Sequence, residues 1–329
     1  MIKKAAAICL LLLLVCITFG CAKRDQKQSA QRNWTASNGK LKVLSTTAMI
    51  DDLVKEIGKE RVDRLTLIQG DIDPHSYELV KGDEEKISFA TVVFYNGLGL
   101  EHGASLQYQL QNHPCKVALG NEIQKRSPDM ILRVDGQVDP HVWMDISLWA
   151  KSIDPIVESL SKLDAGQADF YKKNGEELRL QMLKVHDELV KKFQTAPQEV
   201  RFLVTSHDAF NYFTRAYLTD EKERNSQEWR KRFAAPEGLA PDGQLSCRDI
   251  QKMIDHLMLY KISVVFPESN VNRDSLKKIV SACKEKGLPV KISSAPLYGD
   301  AMGPSGSYAD SYLKMIDHNS RVLLEEWTR

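Results

Sequence analysis

From residue 41 onward, apolar and polar positions alternate in two rhythms. LKVLSTT (41–47), DRLTLIQ (63–69), TVVFYNG (91–97) and KVAL (116–119) are short apolar runs rich in β-branched residues, and they predict strands. MIDDLVKEI (49–57) and residues 104–112 fall between them and predict helices. Alternation of this kind points to a parallel sheet with helices on its faces.

A long helical stretch then interrupts the pattern. Within residues 165–193, Leu178, Met182, Val185, Leu189 and Phe193 follow one another at offsets of four, three, four and four, which makes one continuous helical stripe. Gly175 costs this helix about 1 kcal/mol relative to alanine, so packing must hold it. Pro197 marks its end. Strands resume at RFLVTSH (201–207), SVVFPES (263–269) and LPVKISS (288–294), separated by helices near 246–260 and 272–286 and closed by one near 308–326. The predicted architecture is two α/β lobes joined by a single long helix: an N-terminal lobe over 41–164, the linking helix over 165–196 and a C-terminal lobe over 197–329.

The N-terminus sets the compartment. MIKK, an apolar run AAAICLLLLLVCITF and then Gly20-Cys21 have the layout of an export signal over residues 1–20, and the apolar run is short for a transmembrane helix. A small residue before cysteine also resembles the site at which bacterial lipoproteins are cleaved and lipidated. Cys21 is therefore a candidate anchor, with plain cleavage or a retained signal anchor as alternatives. Residues 21–40 are polar, lack apolar periodicity and read as a flexible tether.

Composition narrows the class further. The 329 residues are 43% hydrophobic and 27% charged, as expected of a soluble globular body. Net charge is +1, and two of the positives, Lys3 and Lys4, lie in the leader. The exported body therefore lacks the basic surplus of a nucleic-acid binder. Of six cysteines, only Cys115, Cys247 and Cys283 lie in the predicted lobes. An oxidising compartment permits one bridge, Cys247 to Cys283, and no Cys-x-x-Cys pair suggests a thiolate zinc site.

The candidate chemistry lies in a repeated tripeptide. Asp-Pro-His occurs at 73–75 and again at 139–141, and a third histidine, His207, follows the predicted strand RFLVTS. Proline restrains its own φ and disfavours α geometry before it, so each turn is a stiff exit that aims the next side chain. The sequence after the two motifs differs, so the equal 66-residue steps from His75 to His141 and from His141 to His207 are chance and not duplication. Ligand clefts in open α/β sheets lie beyond the carboxyl ends of strands, where three imidazoles can converge. Neutral imidazole suits zinc, manganese and iron, and a carboxylate would complete a tetrahedral set. Asp300, in the loop SSAPLYGDAMG, is the candidate.

The bland readings stand beside this one. A single histidine after a strand is usually a hydrogen-bonding residue, and Asp300 can simply stabilise a turn beside Gly299. His102 reads as a helix cap, His113 and His318 as solvated, and His186 and His256 as helix residues. Asp83, Glu84 and Glu85 read as the acidic first turn of a helix. Glu237 and Glu268 are candidates to support a ligand or act as a base.

Taken together, DPHSYE, NGLGLEH, DPHVWMD, SHDAFNYF, PEGLAPDGQLS, FPESNVN and LYGDAMG resemble the substrate-binding proteins of bacterial ABC transporters for zinc, manganese and iron. The likeness runs in the family's order from about residue 41 to the C-terminus. It implies two α/β lobes bridged by one rigid helix with the metal in the interlobe cleft. It also implies His75 and His141 as N-lobe ligands, and His207 and Asp300 as C-lobe ligands. The implied cargo is a divalent ion, manganese, iron or zinc. A monomeric, periplasmic receptor would pass it to an inner-membrane permease driven by an ATPase, touching the membrane itself only through its signal or lipid anchor. The His- and acid-rich loop common in high-affinity zinc receptors is missing, which disfavours a dedicated zinc scavenger. Two rivals remain open: an exported metal-dependent hydrolase and a lipoprotein adhesin. The first lacks a His-Glu-x-x-His pair, and the second requires binding to a host molecule without metal.

Overall fold

The computed structural model describes residues 34–240 and 246–328. The predicted leader, Cys21 and most of the predicted tether lie outside the described residues. The first lobe is built on four parallel strands, β1 (Leu41–Ser45), β2 (Val62–Thr66), β3 (Val92–Tyr95) and β4 (Lys116–Ala118), in the order β2-β1-β3-β4. Adjacent residues on β1 face opposite cores. Val43 joins Val92 and Phe94 on one face, and Leu44 joins Val93 on the other. Burial on both faces explains why the central strands β1 and β3 read as near-continuous apolar runs and not as apolar-polar alternation. Helix Ala48–Gly58 covers the first face with Met49, Ile50, Leu53, Val54 and Ile57. Helices Asp83–Phe89 and Ala104–Asn112 cover the second with Ile87, Leu106 and Leu110.

Trp34 corrects the predicted tether. Its ring is buried in the second cluster and its Nε1 donates to the Asp63 carbonyl at 3.2 Å, so the packed body already includes residue 34.

A short antiparallel hairpin, β5 (Arg133–Val134) and β6 (Gln137–Val138), leads to the second Asp-Pro-His. Its turn, Asp135-Gly136, has φ of 48° and 83°, as a tight two-residue hairpin requires. This motif is therefore fed by a hairpin outside the parallel sheet.

In the second lobe, β7 (Leu203–Val204) pairs in parallel with β8 (Phe233–Ala234), and β9 (Val264–Val265) with β10 (Lys291–Ile292). The Phe266 N–H donates to the Val204 carbonyl at 2.8 Å and joins the pairs, which gives the order β8-β7-β9-β10, the same pattern as in the first lobe. These strands are shorter than the predicted runs for local reasons. Pro267 offers no ladder donor, and the N–H groups of Ser206 and His207 go to the Glu268 carboxylate instead.

The long helix spans Ala168–Gln194, 27 residues, and buries Tyr171, Leu178, Met182, Leu189 and Phe193. Gly175 sits where a Cβ would come 2.7 Å from Val157 and 3.0 Å from Ile153, so its cost permits close approach of helix Ile153–Leu163. One apolar cluster runs from Val43 and Val54 through Trp149 and Phe193 to Phe266 and Leu323. The two lobes therefore share a core. Cys115, Cys247 and Cys283 are all free: Cys247 is exposed at the start of helix Cys247–Tyr260, while Cys283 is buried in the second lobe's outer core, so the bridge considered from sequence does not form. Among the described residues, no helix is long and apolar enough to cross a membrane.

Candidate metal centre

Both Asp-Pro-His turns are closed by their aspartates. Asp73 Oδ1 accepts from the His75 N–H at 2.8 Å, and Asp139 Oδ1 accepts from the His141 N–H at 2.9 Å. This side-chain-to-backbone turn, together with the proline, fixes the direction of each histidine. Asp139 does more. The same oxygen lies 2.7 Å from His141 Nδ1, and a carboxylate can only accept, so Nδ1 carries the proton and Nε2 presents a lone pair. Asn211 from the second lobe donates to Asp139 Oδ2 at 3.0 Å and holds the carboxylate in place.

His207 follows β7, and its Nδ1 lies 2.6 Å from Glu268 Oε2, which again turns Nε2 inward. Asp300 arrives on the loop after β10. The residue before it is glycine for a steric reason: a Cβ on Gly299 would come 2.4 Å from Glu268 Oε2.

Three loops after strands and one after the hairpin thus deliver four side chains to one point between the lobes. His75 Nε2 and His141 Nε2 stand 3.2 Å apart, and His207 Nε2 is 3.1 Å from Asp300 Oδ2. Asp300 Oδ1 is 3.5 Å from His141 Nε2, and its Oδ2 is 3.8 Å from His75 Nε2. One ligand atom from each of the four lies within 4.8 Å of every other. Ligand atoms about 2.0–2.1 Å from a tetrahedral ion stand about 3.3–3.4 Å apart, so the four atoms are spaced as a small ion needs.

The electrostatics are those of a cation site. All four residues are at most 3% exposed. Both Asp300 oxygens are buried and face only the imidazole nitrogens of the same cluster, with His207 Nε2 3.1 Å from Oδ2. Burying a carboxylate among imidazoles is costly unless positive charge balances it, so such an arrangement favours a cation. Burial lowers the His75 pKa to about 3, with the Asp300 charge opposing and the other imidazoles reinforcing the fall. Burial also disfavours charge on His207, but the Glu268 and Asp300 carboxylates outweigh it and raise the His207 pKa well above the ordinary value. Asp300 is driven the other way: burial would raise its pKa, but His207 and then His141 hold it below the usual carboxylate range.

The chain meets a specific match. The family described as the periplasmic zinc-uptake complex component A, ZnuA, matches residues 43–326. The chain belongs to the ZnuA family. Among its relatives, the metal-binding protein YtgA of Chlamydia pneumoniae is 41% identical over 94% of this chain and 90% of its own. The manganese-binding lipoprotein MntA of Bacillus subtilis is 32% identical over 92% of this chain and 93% of its own. A crystal structure of Fe(III)-bound YtgA from Chlamydia trachomatis aligns with a TM-score of 0.82 at 38% identity, covering 88% of this chain and 98% of that one. These matches support the two-lobed α/β reading made from the sequence.

Within this ZnuA-family chain, several other side chains differ from the sequence reading. His113 is buried, not solvated, with its ring nitrogens against the carbonyls of Cys115 and Ala90. His318 is part-buried and donates to the Pro296 carbonyl at 3.0 Å. His102 does not cap helix Ala104–Asn112, because the Glu78 carboxylate accepts from the N–H groups of Ala104 and Ser105. Asp83 does open a helix, but it is buried and accepts from Tyr77 Oη at 2.6 Å and from the Val80 N–H at 2.9 Å. Glu237 accepts from Ser275 at 3.1 Å, whereas Glu268 is the carboxylate that touches a candidate ligand. Asp139, Asn211 and Trp143 were not singled out for their side chains. For Asp139 a signal existed, since aspartate two residues before histidine can reach both its N–H and its ring.

Proposed function

We propose that this chain is an extracytoplasmic receptor that captures a transition-metal ion with His75, His141, His207 and Asp300 and delivers it to an ABC transporter permease with its ATPase. The observation that carries this reading is Asp300: a fully buried carboxylate whose two oxygens face the Nε2 atoms of three converging imidazoles. Family membership supports the transport role.

The donor set suits manganese, iron and zinc. Three imidazoles and one carboxylate oxygen make a tetrahedral zinc site, and both Asp300 oxygens face the cluster, so two-oxygen binding would give the fifth ligand that manganese or iron accepts. A hydrolase needs an open position for water and substrate, and four fully buried protein ligands argue against one. The leader would export the chain, and Cys21 would carry a lipid anchor to the membrane; the receptor would work as a monomer.

The test is elemental analysis of protein purified without added metal, followed by competition among manganese, ferrous, ferric and zinc ions. One metal per chain is expected, with His207→Ala losing affinity by orders of magnitude while the metal-free fold persists. Binding unchanged by that substitution would end the assignment.

A further inference from the structure

His141 belongs to the first lobe in sequence but not to its sheet, because it follows the hairpin that pairs outside it. Its turn is held from the second lobe by Asn211 on the Asp139 carboxylate and by Tyr212, whose Oη donates to the Asp139 carbonyl at 3.1 Å. A tie also reaches it from the first lobe's sheet. Asn96, the first residue beyond β3, is 1% exposed and donates from Nδ2 to the Pro140 carbonyl at 3.0 Å.

Asn96 is itself fixed by a buried carboxylate. Glu101 Oε1 accepts from the Asn96 N–H at 2.8 Å and from Thr46 Oγ1 at 2.7 Å, and Oε2 accepts from the Gly97 N–H at 2.9 Å. The Asn96 carbonyl accepts from the Gly120 N–H at 2.8 Å, so its backbone is bonded on both sides and its side chain serves Pro140. Thr46 is the first residue beyond β1, and its carbonyl accepts from the Ile68 N–H at 3.0 Å, on the chain leading from β2 to His75. A continuous run of bonds thus joins the two Asp-Pro-His loops through Thr46, Glu101 and Asn96.

We propose that Asn96, anchored by Glu101, is the positioning residue that sets His141 relative to His75, whose Nε2 atoms stand 3.2 Å apart. The proposal rests on the receptor reading above. Without the Asn96 donor the Pro140 peptide can turn about its flanking dihedrals, and the imidazole that follows swings with it. Asp139 would still hold the proton on Nδ1, but Nε2 would leave the point shared with the other three side chains.

The experiment is zinc and cobalt(II) binding to the purified protein, with metal-free melting followed in each variant. Asn96→Ala leaves no carbonyl bare, since Pro140 keeps the Val142 N–H at 2.8 Å and Gly97 keeps the Leu100 N–H at 3.0 Å, so the metal-free fold is expected to persist. Its zinc affinity is expected to fall about tenfold, as for other groups that orient a metal-bound histidine. The visible absorption of its cobalt(II) complex, which follows ligand number and geometry, is expected to change shape. Asn96→Asp fills the same space without a donor for Pro140 and is expected to show both effects; it decides the matter should the alanine variant unfold. Asn121→Ala is the control. Asn121 Oδ1 holds the same loop by accepting from the exposed Leu98 N–H at 2.8 Å, and its loss is expected to leave affinity and cobalt spectrum unchanged.

Wild-type affinity and spectrum in the Asn96 variants would remove the role of Asn96. So would an affinity loss with an unchanged cobalt spectrum, which marks general softening, or an equal loss in Asn121→Ala, which places the effect in the loop as a whole. Wild-type protein that takes up no zinc, manganese or iron would instead remove the receptor reading, and this role with it.

Discussion

Trp143 donates its indole N–H to the carbonyl oxygen of Gly299 across 2.9 Å, tying the loop that carries Asp300 to the loop that carries His141. Tyr312 repeats the tie at the far end of the Asp300 loop. Its Oη donates to the Trp143 carbonyl at 2.6 Å, and its N–H donates to Asp52 Oδ2 at 2.9 Å. The carboxylate from one lobe is thus held against imidazoles of the other even before a metal arrives.

Trp143→Phe keeps an aromatic ring in the core but leaves the Gly299 carbonyl without its donor. A buried unpaired acceptor costs about 1–3 kcal/mol. At this chain length each kcal/mol lowers Tm by about 2–4 °C. Metal dissociation should also quicken, because Asp300 loses its brace. Calorimetric melting and chelator-driven release measure the two effects, and a variant with wild-type release kinetics would detach Trp143 from the site.

Metal uptake should expel a proton at neutral pH. In the metal-free protein the His207 pKa is raised by Glu268 and Asp300, so the ring is protonated near pH 7 and must lose that proton to ligate. While His207 stays protonated in the metal-free state, apparent affinity should fall about tenfold for each unit that pH drops. Titration calorimetry in buffers of different ionisation enthalpy should give about one proton released per ion at pH 7. Zero protons released would contradict the charge state of His207.

Glu268→Gln separates position from charge at the same histidine. Glutamine fills the space and can keep the acceptor for the Ser206 and His207 N–H groups, now made by Glu268 Oε1 at 3.0 and 2.8 Å. It removes the anion beside Nδ1. Affinity is expected to fall about 10- to 100-fold, as for other carboxylates behind a metal-bound histidine. Proton release at pH 7 should shrink at the same time, since His207 no longer holds its proton as tightly. A loss of affinity with undiminished proton release would place the effect in packing and not in charge.

The two lobes and the repeated histidines were legible because strong local signals carried them: continuous apolar runs, one five-residue helical stripe and prolines that stiffen a turn. What stayed hidden depended on short side chains whose direction is set by distant neighbours. Asp139 read as the partner of Pro140 in a stiff turn, yet its carboxylate also orients His141 and takes a bond from Asn211, 72 residues away. The second lobe's strands were overcalled because a run such as RFLVTSH is apolar for burial, while its last N–H groups serve Glu268 and not a ladder. Gly175 and Gly299 are space-givers, visible only once their neighbours are in place.

The buried histidines should give the stability of the metal-free protein two opposing pH dependences that meet near pH 6.5. Burial lowers the pKa of His75 to about 3 and of His256 to about 4. The unfolded chain binds protons to both first, so their contribution is present above about pH 6.5 and is lost as pH falls toward 4 and 3, by up to about 1.4 kcal/mol per unit for each. His207, with its raised pKa, has the opposite sign: its contribution is present below about 6.5 and is lost as pH rises through its folded value. Denaturant titrations between pH 4 and 9 check the curve, and His256→Phe should flatten its acid limb. A profile that climbs steadily from pH 6.5 to 9 would contradict the assigned state of His207.

Stripping the metal should act locally and not open the molecule like a hinge. One apolar cluster spans both lobes and the long helix, and Trp143, Tyr212 and Tyr312 bridge the lobes by hydrogen bonds that do not involve the four candidate ligands. Breaking that shared core would cost far more than a bound ion supplies. Metal at about a thousand times its dissociation constant stabilises the fold by roughly 4 kcal/mol. The radius of gyration from small-angle scattering should therefore be the same with and without metal, while amide exchange quickens over residues 67–82 and 297–311, which carry His75 and Asp300. Asp300→Asn should lose both the thermal shift on adding metal and the protection it brings. A measurable expansion of the stripped protein would mean that the common core parts on release, and would shift the release step from those two loops to the lobes as a whole.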